Sequence, residues 1–484
     1  MKTLVTGACG LVGSAVVREL LDRGNSVTAT DLDVKDNHRV VASLQVHAAT
    51  TSGSLDVRWC DLTTASASSQ LVATTQPEAV VHLAALIPPF CYARPQLARA
   101  VNVDATRHLV DACLASQASP RFALASSIAV YGSRNPHSQN DLLNESTPRR
   151  PNDLYGGHKC EAEDILTASA LDWVILRLGG VISAGQTFDL NPDLIAFAAA
   201  LPGDGRLQSV AVGDVARAFA SALTTDRSRE VYLVGGDPSH RLRQEELAER
   251  TAAAVGMVGG MPPARPGDPA QDAEWFATDW MDTTRAQQVL DYQRITFDES
   301  LAQARAYSGR RRPLLRVLAP LANLALRLRS PYRGWPGKYA DPWGVVAARW
   351  GARARTHLSP TALGPTALRC RLPIDRSRWL TEDQSGVSLR DRRLLCGVGV
   401  GHSRHPGRAA AEPESDALTV LKTRAEELSR VIIEWARDRG EIGPGDIPSS
   451  GRFSVEWAPF PVEWAPFPVE WARAAAPPGP VAHF

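Results

Sequence analysis

The sequence has few cysteines, and those it has are unpaired. Seven cysteines are scattered over 484 residues, without any CxxC pair. An odd number of dispersed cysteines argues against a disulfide framework and against a zinc cluster. This usage is typical of a reducing compartment, so we expect a cytoplasmic protein without a bound metal.

The sequence also lacks a charge excess and a long apolar run. Lys and Arg total 53 against 52 Asp and Glu, a formal net charge of +1, so we expect no nucleic-acid partner. No uncharged run approaches the ~18 apolar residues of a membrane span. The N-terminal MKTLVTGACG passes directly into a strand-like segment, so we expect no secretory signal.

Short apolar runs alternate with amphipathic stretches over residues 1–180. KTLVTG, SVTATD and RFALASS are typical of strands, whereas SAVVRELLDRG and KCEAEDILTAS are typical of helices. This alternation predicts an α/β fold built on a Rossmann-type doubly wound parallel sheet. The less regular residues 181–310 predict a smaller C-terminal substrate lobe, which forms one catalytic unit with residues 1–180.

A basic amphipathic segment follows at residues 311–351. Its residues 311–333 carry many arginines, and a helix of that kind can make peripheral contact with an anionic membrane surface. We favour the alternative, in which this helix docks on the body of the protein with its arginines in solvent. The apolar positions at helical spacing are Leu314, Val317, Leu318, Leu321, Leu324, Ala325 and Leu328.

The last part of the chain, residues 352–484, has a different composition. It is rich in Arg, Pro, Gly and Ser, and it ends in a tandem repeat of VEWAPFP. The prolines of each repeat forbid a continuous helix. We therefore predict a mostly disordered, low-complexity tail without a catalytic role.

Three glycines spaced three residues apart, Gly7, Gly10 and Gly13, lie between the first strand and the first helix. Glycines in such a turn allow the backbone to approach a pyrophosphate closely. The helix that follows offers free amides to the anion, here those of Leu11, Val12 and Gly13. The pattern predicts a dinucleotide site at the N-terminus of this helix.

Acidic residues follow the second and third strands. Asp31 ends SVTATD, where its carboxylate can accept hydrogen bonds from both hydroxyls of a ribose. Because that charge would repel a 2′-phosphate and Leu32 supplies no arginine, we predict NAD rather than NADP. Asp61 and Leu62 end a third strand, where an acid can meet the adenine amino group. The next strand ends in HLAAL, which brings Leu83, Ala84 and Ala85 close to the cofactor.

Polar residues that can carry proton transfer follow in the second half of the sheet. Ser127 lies at the carboxyl end of RFALASS, where open α/β sheets bind ligands. Tyr155 and Lys159 are four residues apart and so share one face of a helix. A tyrosine needs a nearby cation to act as a base at neutral pH, and the lysine can supply it.

Together the motifs TGxxGxxG, SSxxVYG and YxxxK resemble the short-chain dehydrogenase/reductase superfamily, and within it the extended NAD-dependent epimerase/dehydratase family. The resemblance covers about residues 1–310. It implies an NAD cofactor, a catalytic triad of Ser127, Tyr155 and Lys159, and a supporting role for Asn102 in VNVDAT. It further implies that the helix of Tyr155 begins beside the cofactor and the substrate, so we expect Gly156 and Gly157 to leave room for both. It also implies a homodimer, because members of this family commonly associate through two helices of each subunit.

The sequence departs from the family pattern at positions that bear on the substrate and on the reaction. Gly180 stands where the family usually has an asparagine that helps to hold the diphosphate of a sugar nucleotide. Ile128 and Ala129 replace the acidic pair of the sugar dehydratases, which disfavours dehydration. The resemblance implies a sugar-nucleotide 4-epimerase-like activity first, and oxidation of a hydrophobic alcohol, as in 3β-hydroxysteroid dehydrogenases, second. A non-catalytic NAD-sensing protein is the third hypothesis.

Overall fold

The computed structural model describes residues 1–185 and 191–351, so the predicted tail lies outside the described residues. Seven parallel strands form the main sheet. Their order across the sheet is β3 (Ser54–Trp59), β2 (Ser26–Asp31), β1 (Lys2–Thr6), β4 (Ala79–His82), β5 (Arg121–Ser127), β6 (Trp173–Leu178) and β9 (Glu230–Val234). This order confirms the predicted Rossmann-type sheet, whose strand order reverses between β1 and β4.

Helices cover both faces of this sheet because alternate side chains of each buried strand point to opposite sides. Val5 of the first strand lies in one apolar cluster and Leu4 in the other. On the Val5 side pack α1 (Leu11–Asp22), α2 (Lys35–Ala48), α9 (Val212–Ala222) and α11 (Thr284–Leu290). On the Leu4 side pack α3 (Ala65–Thr75), α6 (Ala105–Ala115) and α7 (Leu154–Thr167).

A smaller lobe follows the sheet. Its strands are β7 (Gly180–Ile182), β8 (Arg206–Ala211) and β10 (Arg241–Arg243), with β8 parallel to the first and antiparallel to the last. The remaining helices are α4 (Phe90–Ala93), α5 (Pro95–Arg99), α8 (Pro192–Ala200), α10 (Gln244–Val255), α12 (Phe297–Ser308), α13 (Arg312–Leu328) and α14 (Pro342–Trp350). Within residues 1–185 and 191–351, no helix has the length and hydropathy of a membrane span.

The docking face of helix α13 differs from the row of apolar positions identified in the sequence. The helix does pack on the body, but through Leu315 and Ala319. Most of the apolar positions identified from the sequence lie on another face, where the side chains of Leu314, Leu321 and Leu324 are exposed. The helix thus docks on the body as favoured, but most of the apolar positions identified from the sequence do not take part in the docking, because the helix is apolar on two faces.

A buried ion pair fixes helix α7 against the sheet. Glu163 on the helix accepts two hydrogen bonds from Arg177 of β6, from Nη2 to Oε2 at 2.7 Å and from Nε to Oε1 at 2.9 Å. Ser126 of β5 donates a third, at 2.5 Å. Arg177 also donates to the hydroxyl of Tyr131. Because these side chains hydrogen-bond to one another, Glu163 and Arg177 can both remain charged inside the protein and hold α7 in one position.

We predict that Glu163→Ala strongly destabilises the protein. The substitution leaves the guanidinium of Arg177 buried without its carboxylate, which costs about 3–5 kcal/mol. Urea unfolding of the purified protein measures this loss. The matched control is Glu161→Ala on the same helix, because Glu161 pairs with Arg99 in solvent, where such a pair contributes about 1 kcal/mol or less. Equal effects of the two substitutions would contradict the prediction.

Candidate active site

The glycine turn between β1 and α1 is packed too closely for side chains. Gly7 has a φ of +64°, and a Cβ on it would lie 2.7 Å from the amide nitrogen of Ala84. A Cβ on Gly13 would lie 2.0 Å from the carbonyl oxygen of Gly7. The turn, the start of the helix and the segment after β4 therefore meet at one place, as the sequence predicts.

The start of helix α1 offers unused backbone donors. The amide of Gly10 donates to Gly7, and Gly10 has no side chain that could cap the helix. The next three amides, those of Leu11, Val12 and Gly13, have no hydrogen-bond partner within the described parts of the chain. Together with the helix dipole, these donors fit the pyrophosphate of a dinucleotide.

Asp31 ends β2 beside this turn. Its Oδ2 accepts a hydrogen bond from the amide of Cys9 at 2.9 Å, and its Oδ1 accepts from the amide of Leu32 and the side chain of Asn37. Burial raises the pKa of the Asp31 carboxyl, and these three hydrogen bonds oppose the rise. The backbone thus holds a carboxylate next to the glycine turn, which fits a ribose without a 2′-phosphate.

The remaining cofactor candidates follow β3 and β4, with one boundary different from the prediction. Strand β3 ends at Trp59, so Asp61 and Leu62 lie in the turn after the strand and not at its end. Oδ1 of Asp61 accepts hydrogen bonds from the amide and hydroxyl of Thr63, and the carboxylate is exposed. The segment Leu83, Ala84 and Ala85 follows β4, one residue beyond the last paired position, His82.

Asn102 positions the backbone that follows these small residues. It lies in a π-helical turn, Ala100–Asp104, which leads into α6. Its side chain accepts a hydrogen bond from the amide of Leu86 at 2.7 Å and donates to the carbonyl of the same residue at 3.0 Å. An amide side chain that satisfies both the N–H and the C=O of one residue fixes the path of the loop after β4. The supporting role of Asn102 in the active site stays a prediction, and these two hydrogen bonds give it a physical basis.

Ser127, Tyr155 and Lys159 approach one another at the carboxyl end of β5. Ser127 is the last residue of the strand, and its hydroxyl accepts a hydrogen bond from the amide of Ala129. Tyr155 is the second residue of α7. The ammonium of Lys159 lies 5.7 Å from the centre of the Tyr155 ring and donates to the carbonyl of Ala125 at 2.8 Å.

Burial controls the protonation of this group. It raises the pKa of the Tyr155 phenol, and hydrogen bonding to Ser127 acts in the opposite direction. It lowers the pKa of Lys159 to about 8, and the negative charge of Glu163 opposes that change. The lysine is therefore mostly protonated at neutral pH, although its side chain is only 4% exposed. In the chain alone the tyrosine is a neutral phenol.

The sequence reasoning missed Asp153, which sets the position of the tyrosine. Asp153 is buried and caps α7, accepting hydrogen bonds from the amides of Tyr155 and Gly156. The hydroxyl of Tyr92 donates to Oδ2 of Asp153 at 2.7 Å, the same oxygen that accepts from the amide of Tyr155. An aspartate directly before a helix is a common N-cap, so NDLYGG contained the signal.

Gly156 has a different role from the one expected. A Cβ on it would lie 2.4 Å from the carbonyl oxygen of Ala129, in the turn that follows Ser127. The glycine thus allows the first turn of α7 to pack directly on the backbone beside the serine. The expectation that it makes room for cofactor and substrate is wrong for this position, because the protein itself fills that space.

We predict that Gly156→Ala destabilises the protein and lowers its activity. In an ordinary helix this change stabilises by about 1 kcal/mol. Here the new methyl group would push α7 away from Ala129, at a cost of about 1–3 kcal/mol, and separate Tyr155 from Ser127. Thermal unfolding and turnover measure the two effects. A more stable variant with full activity would show that the close contact is unimportant.

An aromatic cluster packs beside Tyr155. The phenol ring borders a cluster that includes Tyr92, Phe197, Phe276, Trp343 and Trp350. Ring centres are 5.4 Å apart for Phe197 and Phe276, and 5.6 Å apart for Phe276 and Trp343. The two tryptophans belong to α14, which begins at Pro342, so a segment far along the chain forms one wall beside the tyrosine.

Comparison with known proteins identifies the class to which this site belongs. The sequence model of the NAD dependent epimerase/dehydratase family matches residues 3–235, which contain the glycine turn, Asp31, Ser127, Tyr155 and Lys159. This part of the chain belongs to that family. The predicted family is thereby confirmed, and so is NAD as the cofactor named in its description.

Relatives of differing activity match the chain at low identity. D-Erythronate dehydrogenase from Cupriavidus necator is 29% identical over 186 residues, or 37% of this chain and 54% of the relative. UDP-glucose 4-epimerase from Caenorhabditis elegans is 31% identical, over 34% of this chain and 48% of the relative. Human 3 beta-hydroxysteroid dehydrogenase type 7 is 32% identical, over 37% and 44%. The chain thus spans about half the length of these curated relatives.

Solved structures share the fold over a longer stretch. The structure of MoeE5 in complex with UDP-glucose and NAD superposes with a TM-score of 0.50 and 26% identity. The match covers 65% of this chain and 100% of MoeE5. The relatives and this structure carry different substrates in their names, so similarity alone does not select a substrate.

Proposed function

We propose that this protein is an NAD-dependent oxidoreductase that interconverts a secondary alcohol and its ketone. The observation that supports it is the meeting of Ser127, Tyr155 and Lys159 at the carboxyl edge of the sheet. The glycine turn and Asp31 lie at the same edge, where such sheets bind dinucleotides. A titratable group with a strongly shifted pKa at this position is typical of an active site.

The residues divide the work in the following way. NAD would supply the chemistry of accepting the hydride of the carbinol carbon and of giving it back. Tyr155 takes the hydroxyl proton during oxidation and returns it during reduction. Ser127 holds the reacting oxygen next to the phenol. Lys159 is protonated below pH about 8 and favours the phenolate by its charge.

For the substrate we place an apolar alcohol first. The wall beside Tyr155 includes the partly exposed rings of Phe197, Phe276 and Trp350, with the buried Trp343 behind them. Such a surface binds rings and alkyl groups by removing their apolar area from water. The product of this reaction is a ketone that leaves the protein. The family resemblance implies the opposite order of the two candidate substrates. The resemblance ends near residue 310 and so does not include α14, whose tryptophans favour the apolar alcohol.

A sugar-nucleotide 4-epimerase-like activity is the second candidate. The names of UDP-glucose 4-epimerases among the relatives support it. In that reaction the same alcohol is oxidised and then reduced on the opposite face, so no net NADH forms. Gly180, which stands where an asparagine usually helps to hold the diphosphate, places this candidate behind the first.

We predict that Tyr155→Phe lowers the rate of turnover by about 100-fold or more while NAD binding is retained. The substitution removes only the hydroxyl that carries the proton, and general acid–base catalysis contributes about 10²–10⁴-fold. NADH absorbance measures turnover with a panel of sterols, other hydrophobic alcohols and sugar nucleotides, and product analysis detects epimers. Tyr307→Phe is the control, because Tyr307 is 60% exposed and lies on α12.

Three results would contradict the proposal in different ways. Full activity of Tyr155→Phe would exclude the assigned acid–base role. Conversion of a sugar nucleotide into its epimer without net NADH would favour the second candidate. Binding of NAD without turnover of any tested alcohol would favour the non-catalytic NAD-sensing protein.

The aromatic wall gives a prediction about the substrate. We expect Trp350→Ala to raise the KM for the apolar alcohol by about tenfold, because it removes apolar contact worth about 1.5 kcal/mol or more. NAD affinity should not change. Trp335→Ala is the matched control, since Trp335 packs against Tyr332 outside this cluster. An unchanged KM for Trp350→Ala would exclude a role of α14 in substrate binding.

The homodimer and the cytoplasmic location stay predictions. The first rests on the family resemblance and the second on cysteine usage. Size-exclusion chromatography with light scattering measures the subunit number directly.

A further inference from the structure

Helix α13 is apolar on two faces, and the body of the protein covers one of them. Leu315 packs against the cluster formed by Leu242, Val255 and Phe297. Ala319 is 1% exposed. Asn323 donates a hydrogen bond to the carbonyl of Gly259. These contacts fix the rotation of the helix about its own axis.

The opposite face presents a continuous row of aliphatic side chains to solvent, which we call the outer stripe. The spacing of three and four residues places the stripe within about 80° of the helix circumference, at about 100° per residue. The stripe contains five of the eleven large exposed hydrophobic side chains of the described residues. They are Leu314 (39% exposed), Val317 (44%), Leu321 (37%), Leu324 (44%) and Leu328 (52%).

Positive charge surrounds the outer stripe. Arg316 and Arg327 follow one side of it, and Arg311 and Arg329 follow the other, each about 100° away around the helix. Residues 300–340 contain no Asp or Glu. The basic residues of this stretch are Arg305, Arg310, Arg311, Arg312, Arg316, Arg327, Arg329, Arg333 and Lys338.

We propose that the outer stripe of α13 binds the surface of an anionic phospholipid bilayer. The helix would lie parallel to the bilayer, with its aliphatic side chains among the acyl chains and its arginines at the phosphates. Each arginine near a negatively charged leaflet adds to the affinity, and the long side chains can reach the headgroups from both flanks of the stripe.

Charge and length select a bilayer over a second copy of the chain. Two outer stripes packed together would bring two sets of arginines into contact without any acidic residue from either segment. The stripe also extends over only two heptads, whereas a stable coiled coil needs about three or four. An anionic surface satisfies both the aliphatic row and the charge.

The proposal is independent of the assigned activity. If both the membrane contact and the proposed activity hold, they fit together, because an apolar alcohol would concentrate in the membrane that α13 contacts. The chain runs from the end of α13 at Leu328 to α14 at Pro342, whose tryptophans lie beside Tyr155. The outer stripe, where the bilayer would bind, is therefore close in sequence to the tryptophans of the aromatic wall.

Vesicle sedimentation of the full-length protein tests this inference. One set of vesicles contains phosphatidylcholine alone, and in the other phosphatidylglycerol replaces about a third of it. We expect binding to the anionic vesicles, a marked loss of binding at high salt, and little binding to the neutral ones. The double variant L321E/L324E should bind about tenfold more weakly or worse, because it places two charges in the acyl region.

Two further variants make the test specific. R316Q/R327Q should weaken binding to anionic vesicles while leaving the aliphatic row intact. V46E is the control, since Val46 is 71% exposed on α2, far along the chain from the stripe, and the variant should bind like the unchanged protein. All these positions are exposed, so the fold should survive, and circular dichroism with thermal unfolding checks it.

Defined results would overturn the proposal. Absence of binding to anionic vesicles would show that something other than lipid covers the stripe. Equal binding by L321E/L324E would show that another surface meets the bilayer. If L321E/L324E instead converts a dimer into a monomer by light scattering, a second copy of the chain is the occupant. None of these results depends on turnover, so they leave the proposed activity to its own test.

Discussion

The site depends on one close contact, that between the first turn of α7 and the backbone turn after Ser127. A Cβ on Gly156 would lie 2.4 Å from the carbonyl of Ala129, so only glycine allows the two backbones to come this near. Asp153 caps the same turn by accepting a hydrogen bond from the amide of Gly156. Further along the helix, Glu163 binds Ser126 of β5 and Arg177 of β6. The tyrosine is thus held at its position by three contacts that do not involve the tyrosine side chain.

Much of this arrangement could be predicted because the signals are local in the sequence. The glycine spacing from Gly7 to Gly13, the acid at the end of β2 and the four-residue spacing of Tyr155 and Lys159 each follow from the geometry of one turn or one helix. The carboxyl ends of parallel strands lie at one edge, so these pieces must meet there. The cap at Asp153 is a local signal too, and it could have been found by the same reasoning.

Other features could not be predicted because they depend on contacts between distant segments. The aromatic wall joins Phe197, Phe276 and Trp343, which are widely separated along the chain, and no periodicity relates them. The role of Gly156 depends on where Ala129 lies, which only the packing of α7 decides. Helix α13 shows the same limit in another form. The spacing of its apolar residues predicted that the helix docks on the body. A helix with two apolar faces can dock through either one, and the surface on which it packs decides which face that is.

The charges of helix α7 explain why Lys159 differs from an ordinary buried lysine. Glu163 lies four residues further along the helix, but Arg177 and Ser126 already occupy its oxygens, so it neutralises the lysine only in part. Burial therefore lowers the pKa of Lys159 to about 8 and does not abolish its charge at neutral pH. The nearby His82 is buried with hydrogen bonds at both ring nitrogens, and burial with the charge of Lys159 lowers its pKa to about 3, so it stays neutral. The lysine is then the cation that faces the Tyr155 ring, which is the electrostatic condition that a tyrosine base requires.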